Sequence, residues 1–555
     1  MMMYSKNIFY FRRFLLACIF ITFSSISVFA QEEPKFKREN QATEQRELVV
    51  LVSERNLNLN PHTSSFSVES QIMNANYEGL FSYNPKTLQS ENAICEGFKI
   101  SRDQKTWTFF IRPEAKFSNG EKITAYDVKN SWMTLLSTEN APFASLLDVI
   151  SGAKEYRTGL APSENVSITA KDEKTLVIRL TTPVEYFPNI LCHASFAVVH
   201  PNKLVSSGPF KISGKTKDYI SFAKNEYYWD AENVLLPSIK FVISSNLDEN
   251  TYQYNNGKID WAIDGIESSK VLSFNDLSLA PQFGTEYMFF RPVHEPWNNA
   301  KLRNSLLSAV PWEELQKNSI VKAKSLLIPL PGYPDIFGVS EYDLESAIEL
   351  LKEADYGNIL EYAVTEEDWS TEKAAEQLEK LSESPLSLII AIPATDYSLS
   401  LAALLRQSWA KLGVNLIVQQ LPSEKYFQTI NAIDADILTY NWIGDFADPM
   451  AFLELFRSDS GLNISGWKDK IYDELLMESS TCKTDERFEK LSEAEQYLLD
   501  QGMVIPISHT ISLNILDRNI VKGWYENAMN IHPLKYLYIG EKQKLPNVVL
   551  LNTDN

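Results

Sequence analysis

The sequence predicts a mixed α/β fold divided into several lobes, and three observations support this. Apolar and polar side chains alternate at Thr106–Arg112 and Thr175–Leu180, which is typical of half-buried strands. A strand at Leu386–Ile392, a helix over 399–412 and a strand at Val414–Val418 indicate a βαβ unit, which should be parallel and right-handed. The 555 residues leave room for three or four domains at roughly 150 residues each.

The first thirty residues have the layout of a cleavable secretory signal peptide. Lys6, Arg12 and Arg13 precede an apolar run at Phe14–Phe29, and Ala30 ends the segment with a small side chain. In a helix this run spans about 24 Å, which is short of the ~30 Å hydrocarbon core of a membrane. We therefore expect cleavage after Ala30 and export to the periplasm.

A lipoprotein signal is the alternative interpretation, because LLAC at 15–18 resembles a lipobox that ends at Cys18. Almost no apolar segment would precede that cysteine, and acylation would leave Ile19–Phe23 as an apolar extension, so we favour cleavage after Ala30. Residues 31–47 are polar and non-periodic, and we expect a disordered lead-in there. The folded part should begin with a strand at Leu48–Ser53.

Composition argues against several classes of function. The 52 basic and 72 acidic residues give a net charge of −20, which disfavours binding to nucleic acid or anionic membranes. Six histidines and four cysteines are few for a metal protein, and we expect neither a metal nor a cofactor. After cleavage Cys95, Cys192 and Cys482 remain; they allow at most one intramolecular disulfide, and their pairing stays open.

Helix signals are clear in several places. Thr124–Asp127 has the pattern of a capping box with Asp in place of Glu. The helix that it opens should bury three apolar side chains of one face: Val128, Trp132 and Leu135. Gly413 should end the helix of the βαβ unit, and further helices are expected at Asp343–Tyr356 and Asp485–Leu499.

The common catalytic motifs are absent from the sequence. It contains no HExxH, GxSxG, Walker or GxGxxG pattern, and its six histidines are scattered along the chain. Asp434 and Asp436 form a close acidic pair, but such pairs arise by chance among 72 acids, and a glycosidase pair needs proximity only in space. The sequence therefore favours binding without catalysis and leaves a hydrolase as an alternative.

The most informative stretch lies at residues 437–456. Ile437–Trp442 reads as a strand, residues 444–449 break it, and Met450–Phe456 begins an apolar helix. Ligands of open α/β sheets bind beyond the carboxyl ends of strands, which is where Asp445 falls. A carboxylate in a dry cleft needs a partner, and a ligand ammonium could serve. From composition alone, a solvated or helix-capping Asp445 is the favoured interpretation.

Several longer segments form a pattern that can be identified. In chain order they are LNPHT at 59–63, YEGLFSYNP at 77–85, KTWTFFIRPEAKFSNGEKITAYDVKNSW at 105–132, SGPFKI at 207–212, NEYYWD at 225–230, LRNSLLSAV at 302–310, WIGDFADP at 442–449 and VKGW at 521–524. With these segments the chain resembles the peptide and nickel class of extracellular solute-binding proteins of ABC importers, and most of all the oligopeptide-binding proteins. The resemblance covers essentially the whole mature chain.

The resemblance implies a two-lobed clamshell of the periplasmic binding-protein type, similar to type II, with an additional domain beside one lobe. Lobe I would comprise residues 48–72, 184–283 and 510–541. The additional domain would comprise residues 73–183, and lobe II residues 284–509. The lobes would close over an extended peptide, much as a sheet gains a strand.

The resemblance also assigns ligand-binding residues. Trp442–Asp445 matches the W-x-x-D motif whose aspartate holds the α-ammonium of the peptide, so Asp445 takes this role and Trp442 lines the cleft. Phe143 would line the same cleft, and Glu54 is the candidate for an acid near the first strand. The backbone of four consecutive residues would pair with the peptide main chain: Tyr440, Asn441, Trp442 and Ile443.

Two departures concern the far end of the ligand. Thr439 and Ser398 stand where related proteins carry an arginine and a histidine that help to bind the peptide carboxylate. This leaves room for a modified, larger or differently charged ligand, such as a cell-wall peptide.

The sequence thus predicts a monomeric, non-catalytic receptor that captures oligopeptides and delivers them to an ABC importer permease in the inner membrane. A carrier of a specialised ligand such as a murein peptide is the alternative within the same class. A secreted hydrolase and a surface adhesin are the alternatives from other classes.

Overall fold

The computed structural model of the protein describes residues 45–540, apart from residues 56, 65, 140, 329, 331 and 366–373. All of these residues belong to the compact unit Asn40–Asn555. The predicted signal peptide with Cys18, and residues 31–44 of the predicted lead-in, lie outside the described residues.

The described chain contains both strands and helices throughout, as the sequence predicts. The strands are β1 (Leu48–Val52), β2 (Phe81–Tyr83), β3 (Ser90–Asn92), β4 (Cys95–Ile100), β5 (Thr106–Ile111), β6 (Ile168–Ala170), β7 (Thr175–Arg179), β8 (Phe210–Lys215), β9 (Tyr219–Lys224), β10 (Ser238–Ile243), β11 (Trp261–Ala262), β12 (Leu277–Phe290), β13 (Val321–Lys322), β14 (Ser387–Pro393), β15 (Asn415–Leu421), β16 (Ile437–Ile443), β17 (Val504–Leu516), β18 (Val521–Lys522) and β19 (Tyr538–Ile539).

The helices are α1 (Ser67–Asn76), α2 (Ala125–Ser137), α3 (Ala153–Arg157), α4 (Phe187–Ile190), α5 (Leu247–Asn255), α6 (Ala300–Ser308), α7 (Trp312–Leu315), α8 (Leu344–Glu353), α9 (Ala374–Ser382), α10 (Asp396–Ala410), α11 (Ser423–Thr429), α12 (Met450–Leu453), α13 (Lys470–Ser479) and α14 (Thr484–Asp500). None of those in the described ranges combines the length and the apolar character needed to cross a bilayer.

Two long antiparallel strands, β12 and β17, lie at the centre of the largest sheet. Its order is β15-β14-β16-β12-β17-β11-β1-β10-β9-β8, and β13 pairs with β17 as well. The first part of β12 pairs with the last part of β17, next to β11. The second part of β12 pairs with the first part of β17 and with β16. These two strands therefore belong to both halves of the sheet.

The strand pair changes register where it passes from one half to the other. Pro281 lies opposite Ile511, and the next paired residues are Thr285 and His509. Such irregularities bend a strand and increase its twist. The predicted lobe boundaries at 283/284 and 509/510 fall at this break, while the division into lobes stays a prediction.

A separate antiparallel sheet, β4-β5-β7-β6, lies within the predicted additional domain. Trp107, Phe109 and Ile111 are buried on one face of β5, as their alternation predicts. Thr124 and Asp127 form the predicted capping box, with the Thr124 main-chain N–H donating to Asp127 Oδ2 at 2.8 Å. Helix α2 then buries the three side chains expected of it: Val128, Trp132 and Leu135.

The predicted βαβ unit is confirmed as β14, α10 and β15, with the two strands parallel along seven paired residues. Helix α10 ends at Ala410, and Gly413 follows with φ +78°. A Cβ atom on Gly413 would lie 2.0 Å from the carbonyl oxygen of Ile359. Glycine is therefore required here both for its backbone conformation and for the close approach of two chain segments.

The three cysteines of the described chain are free thiols. Cys95 and Cys192 are buried, and Cys482 is half-buried. Burial raises the pKa of Cys95 to about 11, so this thiol stays protonated at neutral pH. Cys95 and Cys192 thus fit the interpretation of buried thiols, and Cys482 does so only in part.

Replacing Gly413 by alanine should destabilise the protein by more than about 2–3 kcal/mol, because left-handed backbone strain adds to a main-chain clash. Gly159→Ala is the matched control. Gly159 has φ +75° with nothing within 4 Å of its added Cβ, so only the strain of about 1–2 kcal/mol applies. Urea unfolding of both variants measures the difference, and equal losses would contradict the close approach.

Candidate ligand-binding site

The loop that carries Asp445 begins where β16 runs against the central strand pair. The N–H of Gly444 donates to the carbonyl oxygen of Phe283 on β12 at 2.8 Å. A Cβ on Gly444 would lie 2.5 Å from the Phe283 ring, so a larger residue does not fit without a shift. The strand therefore ends against Phe283, and Asp445 is the first side chain beyond this point.

One oxygen of the Asp445 carboxyl group is shielded from solvent and has no hydrogen-bond partner among the described residues. Asp445 as a residue is half-buried, but its Oδ2 atom is shielded from solvent and forms no hydrogen bond with the described residues. Burial raises the pKa of Asp445 to about 8 from its ordinary value of 3.8. Asp445 does not cap α12, whose N-cap is Pro449, and its Oδ2 atom does not face water. A cation that reached this carboxyl would ionise it and supply the missing partner.

Two tyrosines lie within electrostatic reach of Asp445. Burial raises the pKa of Tyr440 to about 12, and the charge of Asp445 contributes to this. Burial also raises the pKa of Tyr83 well above its ordinary value, and the Asp445 charge adds to it. Tyr83 comes from the predicted additional domain and Tyr440 from predicted lobe II, so a residue of each lies near the carboxyl group.

The backbone beside Asp445 presents an unpaired strand edge. Strand β14 pairs with β16 only at Ile437 and Leu438. At Thr439 the Tyr426 hydroxyl accepts from the main-chain N–H at 2.9 Å and donates to the carbonyl oxygen at 2.8 Å. After Thr439, no strand of the described chain pairs with the side of β16 that faces β14, so this edge is open at Tyr440–Ile443. The exposed main-chain groups are a template for another extended chain.

Aromatic packing holds the strand next to this edge in place. The Trp442 ring stacks on Tyr440, with centroids 5.7 Å apart and planes at 26°. Its indole N–H donates to the carbonyl oxygen of Ala451 at 2.9 Å, which ties β16 to α12. Trp442 remains half-buried and Asn441 is exposed, so both are available to a ligand.

The far side of the loop is anchored by a buried ion pair. Asp448 accepts two hydrogen bonds from the Arg487 guanidinium, at 2.7 and 2.8 Å. The guanidinium carbon lies 4.7 Å from the centre of the Tyr186 ring, which stacks on Phe446 at 5.5 Å and 4°. The carbonyl oxygen of Ala447 also accepts a hydrogen bond from the Asn189 side chain at 3.4 Å. We call the following groups the anchor: the side chains of Tyr186, Phe446, Asp448 and Arg487, and the carbonyl of Ala447.

Phe143 and Glu54, the remaining candidate residues, show no direct contact with Asp445 among the described residues. Phe143 is half-buried, and its ring lies 4.3 Å from that of His193, whose pKa burial lowers to about 4. Glu54 lies exposed just beyond β1. The hydrogen bonds, ion pairs and ring contacts of the described residues join neither Phe143 nor Glu54 to Asp445. Their assignment to the ligand site therefore stays a prediction.

Sequence reasoning missed the anchor and Tyr83. Arg487 lies 39 residues from Asp448 along the chain, and Tyr186 comes from another part of the fold. No spacing pattern links residues so far apart along the chain. The two positions where related proteins carry basic residues are uncharged here. Thr439 is buried in β16, and Ser398 is half-buried in α10.

Metal binding finds no support in the geometry. Within the described ranges, three or more His, Cys, Asp or Glu side chains do not converge in the way that a metal ion requires. The arrangement that does converge is a desolvated carboxyl group, an unpaired strand edge and a half-buried tryptophan. Together these can bind the amino end of an extended, hydrogen-bonding chain.

Comparison with known proteins places the chain in context. Residues 89–463 match the family described as bacterial extracellular solute-binding proteins, family 5, middle. The chain is 28% identical over 490 residues to the oligopeptide-binding protein OppA of Bacillus subtilis (strain 168), covering 83% of this chain and 87% of that protein. It is 26% identical over 494 residues to the dipeptide-binding protein DppE of the same organism, covering 85% and 88%.

A solved structure with the same fold is that of the Escherichia coli murein tripeptide binding protein MppA. The TM-score is 0.70 at 23% identity, and the match covers 90% of this chain and 99% of that chain. These findings confirm the resemblance that the motifs indicate and the two-lobed fold class.

Asp445→Asn should stabilise the ligand-free protein at alkaline pH. Because the folded-state pKa of about 8 exceeds the ordinary 3.8, the folded protein holds a proton that the unfolded chain loses between these values. Stability of the wild type therefore falls as pH rises from about 4 to about 8. The variant should be equal to the wild type near pH 4 and more stable by about 1–3 kcal/mol at pH 8.5.

Urea unfolding at both pH values measures this, on protein stripped of co-purified ligand by unfolding and refolding. Asp434→Asn, which removes an exposed carboxylate from the turn before β16, is the control and should show no such trend. A stability difference for Asp445→Asn that does not change with pH would contradict the desolvated carboxyl group.

Proposed function

Since this chain belongs to the bacterial extracellular solute-binding proteins, family 5, we propose that it captures oligopeptides and delivers them to the permease of an ABC importer. The single observation that carries the proposal is the desolvated, unpartnered carboxyl group of Asp445 beside the unpaired edge of β16. The carboxylate would bind the α-ammonium of the peptide, and the edge would pair with its main chain. Neither contact depends on the peptide's side chains.

Membership of a solute-binding family supports a receptor over an enzyme. The interpretation of the chain as a binding protein without catalysis is confirmed at the level of the family. The hydrolase and adhesin alternatives have no observation in their favour among the described residues. The half-buried Trp442 and the aromatic packing around it serve binding, as aromatic walls do in most ligand sites.

Export to the periplasm completes the proposal. The family is extracellular, and the first thirty residues carry a signal-peptide pattern, so the mature protein would begin at Gln31 without lipid at Cys18. The protein would act as a monomer and meet its permease at the inner membrane.

The two lobes and their closure are also part of the proposal. Strands β12 and β17 both run through the two halves of the sheet, and their pairing breaks between Pro281 and Thr285. This break is therefore the candidate hinge. The stack of Tyr186 on Phe446 joins predicted lobe I to predicted lobe II and would form on closure.

A murein peptide is the second candidate ligand. The Escherichia coli neighbour is named for a murein tripeptide, and the uncharged Thr439 and Ser398 allow an unusual far end of the ligand. Mass spectrometry of ligand that co-purifies with the native protein distinguishes a cell-wall peptide from ordinary oligopeptides.

Removing the charge of Asp445 should weaken peptide binding strongly. Breaking one partner of a buried ion pair costs roughly 3–5 kcal/mol, or a few hundred- to several thousand-fold in affinity. Calorimetry of Asp445→Asn with a free pentapeptide should show this loss, and N-acetylation of the peptide should cause a similar loss in the wild type. Asp434→Asn should bind like the wild type. Normal binding by the variant together with tolerance of acetylation would remove Asp445 from the site.

Ligand should close the protein and stabilise it. Small-angle scattering of stripped protein should give a smaller radius of gyration after a pentapeptide is added, because hinge closure brings the lobes together. A ligand at 100 times its dissociation constant should add about 2.7 kcal/mol to the unfolding free energy. An unchanged radius with saturated binding would contradict closure at the hinge.

A further inference from the structure

An ion pair joins the predicted additional domain to predicted lobe II. The Lys154 ammonium, on α3, donates to the main-chain carbonyl oxygen of Asp459 at 2.7 Å and lies 3.5 Å from the Asp459 carboxylate. The Lys154 side chain is 39% exposed and the Asp459 side chain 65% exposed. A contact at the surface can form and break without opening a core, so this one can belong to a single conformation of the protein.

The Asp459 side of this contact is held in place from within predicted lobe II. The Arg457 Nε–H donates to Asp459 Oδ1 at 2.7 Å, and the Arg457 guanidinium also pairs with Glu454 at 2.9 Å. A carboxylate that is already oriented loses less conformational freedom when its partner arrives. Asp459 is therefore presented to Lys154 rather than ordered by it.

The same two parts of the chain approach each other closely at Gly461. A Cβ on Gly461 would lie 3.2 Å from the Cβ of Ser145 and 3.3 Å from Nη2 of Arg157. Arg157 is itself fixed, because its Nε–H donates to Asp148 at 3.0 Å. Gly461 is not among the glycines with positive φ, so its backbone conformation is open to other residues. The absence of a side chain at this position serves the close approach.

These contacts are separate from the candidate ligand-binding residues. Among the described residues, no hydrogen bond, ion pair or ring contact joins Lys154, Asp459 or Gly461 to Asp445 or Trp442. Burial alone raises the pKa of Asp445, so the charge of Lys154 does not act on that carboxyl group. The contacts nevertheless involve the chain segment that follows Asp445.

We propose that the Lys154–Asp459 pair and the close approach at Gly461 form a latch that holds the closed protein together and sets its affinity for all peptides alike. This rests on the proposed function, including closure over the ligand. Because the latch forms only in the closed protein, breaking it lowers the closed population. The apparent dissociation constant then rises by the same factor for each peptide, since the latch contacts none of them.

Two variants break the latch by different means. Lys154→Glu places a second carboxylate beside Asp459, and Gly461→Leu inserts a side chain where the two parts of the chain meet. Calorimetry on stripped protein measures binding of pentaalanine and of the same peptide with phenylalanine at position three. Each variant should weaken both peptides by one common factor, roughly three- to tenfold for Lys154→Glu, because the pair is solvent-exposed. Dissociation of the peptides should become faster by a similar factor.

Lys174→Glu is the matched control. It makes the same change in net charge at an exposed lysine elsewhere in the predicted additional domain, and it should bind both peptides like the wild type. Lys154→Arg keeps the cation and should also bind normally. Urea unfolding of the stripped latch variants should give wild-type stability, because the latch is open without ligand. A residue with a merely structural role would lower that stability.

Three results would overturn the latch: wild-type affinity in either latch variant, loss factors that differ between the two peptides, or a loss of stability in the stripped variants. The proposed function fails separately. If neither peptide binds the wild type, peptide capture itself is wrong, and the latch fails with it. If wild type and latch variants bind both peptides equally well, peptide capture stands and only the latch is rejected.

Discussion

The pairing of β12 with β17 is the constraint on which the site depends. Both strands belong to the two halves of the sheet, and their register breaks between Pro281 and Thr285. Phe283 lies inside this break, and its carbonyl oxygen accepts the Gly444 N–H. The end of β16, and with it Asp445, is therefore positioned by the segment where the strand pair bends. A hinge movement at the break would move the carboxyl group directly.

Two aspartates three residues apart in one loop have opposite environments. Asp448 is buried with two hydrogen bonds from Arg487, which satisfies its charge and fixes the loop. Asp445 has no such partner in the described chain, and its pKa is raised to about 8 by burial alone. The Asp448–Arg487 pair thus fixes the loop that also carries Asp445, three residues before Asp448. Proteins retain such a cost where a ligand removes it.

Local patterns in the sequence predicted local structure well. The alternation in β5 and β7, the capping box at Thr124 and the βαβ unit around Gly413 all depend on residues close in the chain, and the structure confirms them. The residues around Asp445 could not be predicted in this way. Arg487, Tyr83 and Tyr186 reach the loop only through the packing of distant elements, and the partial pairing of β14 with β16 depends on one tyrosine hydroxyl.

In the proposed site, backbone recognition and charge recognition are separate, and this separation would allow one protein to be both tolerant and selective. The edge of Tyr440–Ile443 offers main-chain groups that every extended peptide can pair with, so it contributes affinity without reading side chains. Selectivity must then come from fixed charges, which act over longer distances and penalise the wrong sign. Asp445 lies at the end of this edge, with no arginine or lysine paired to it among the described residues. A site built in this way would admit many side chains but would require a positive charge at the amino end of the ligand.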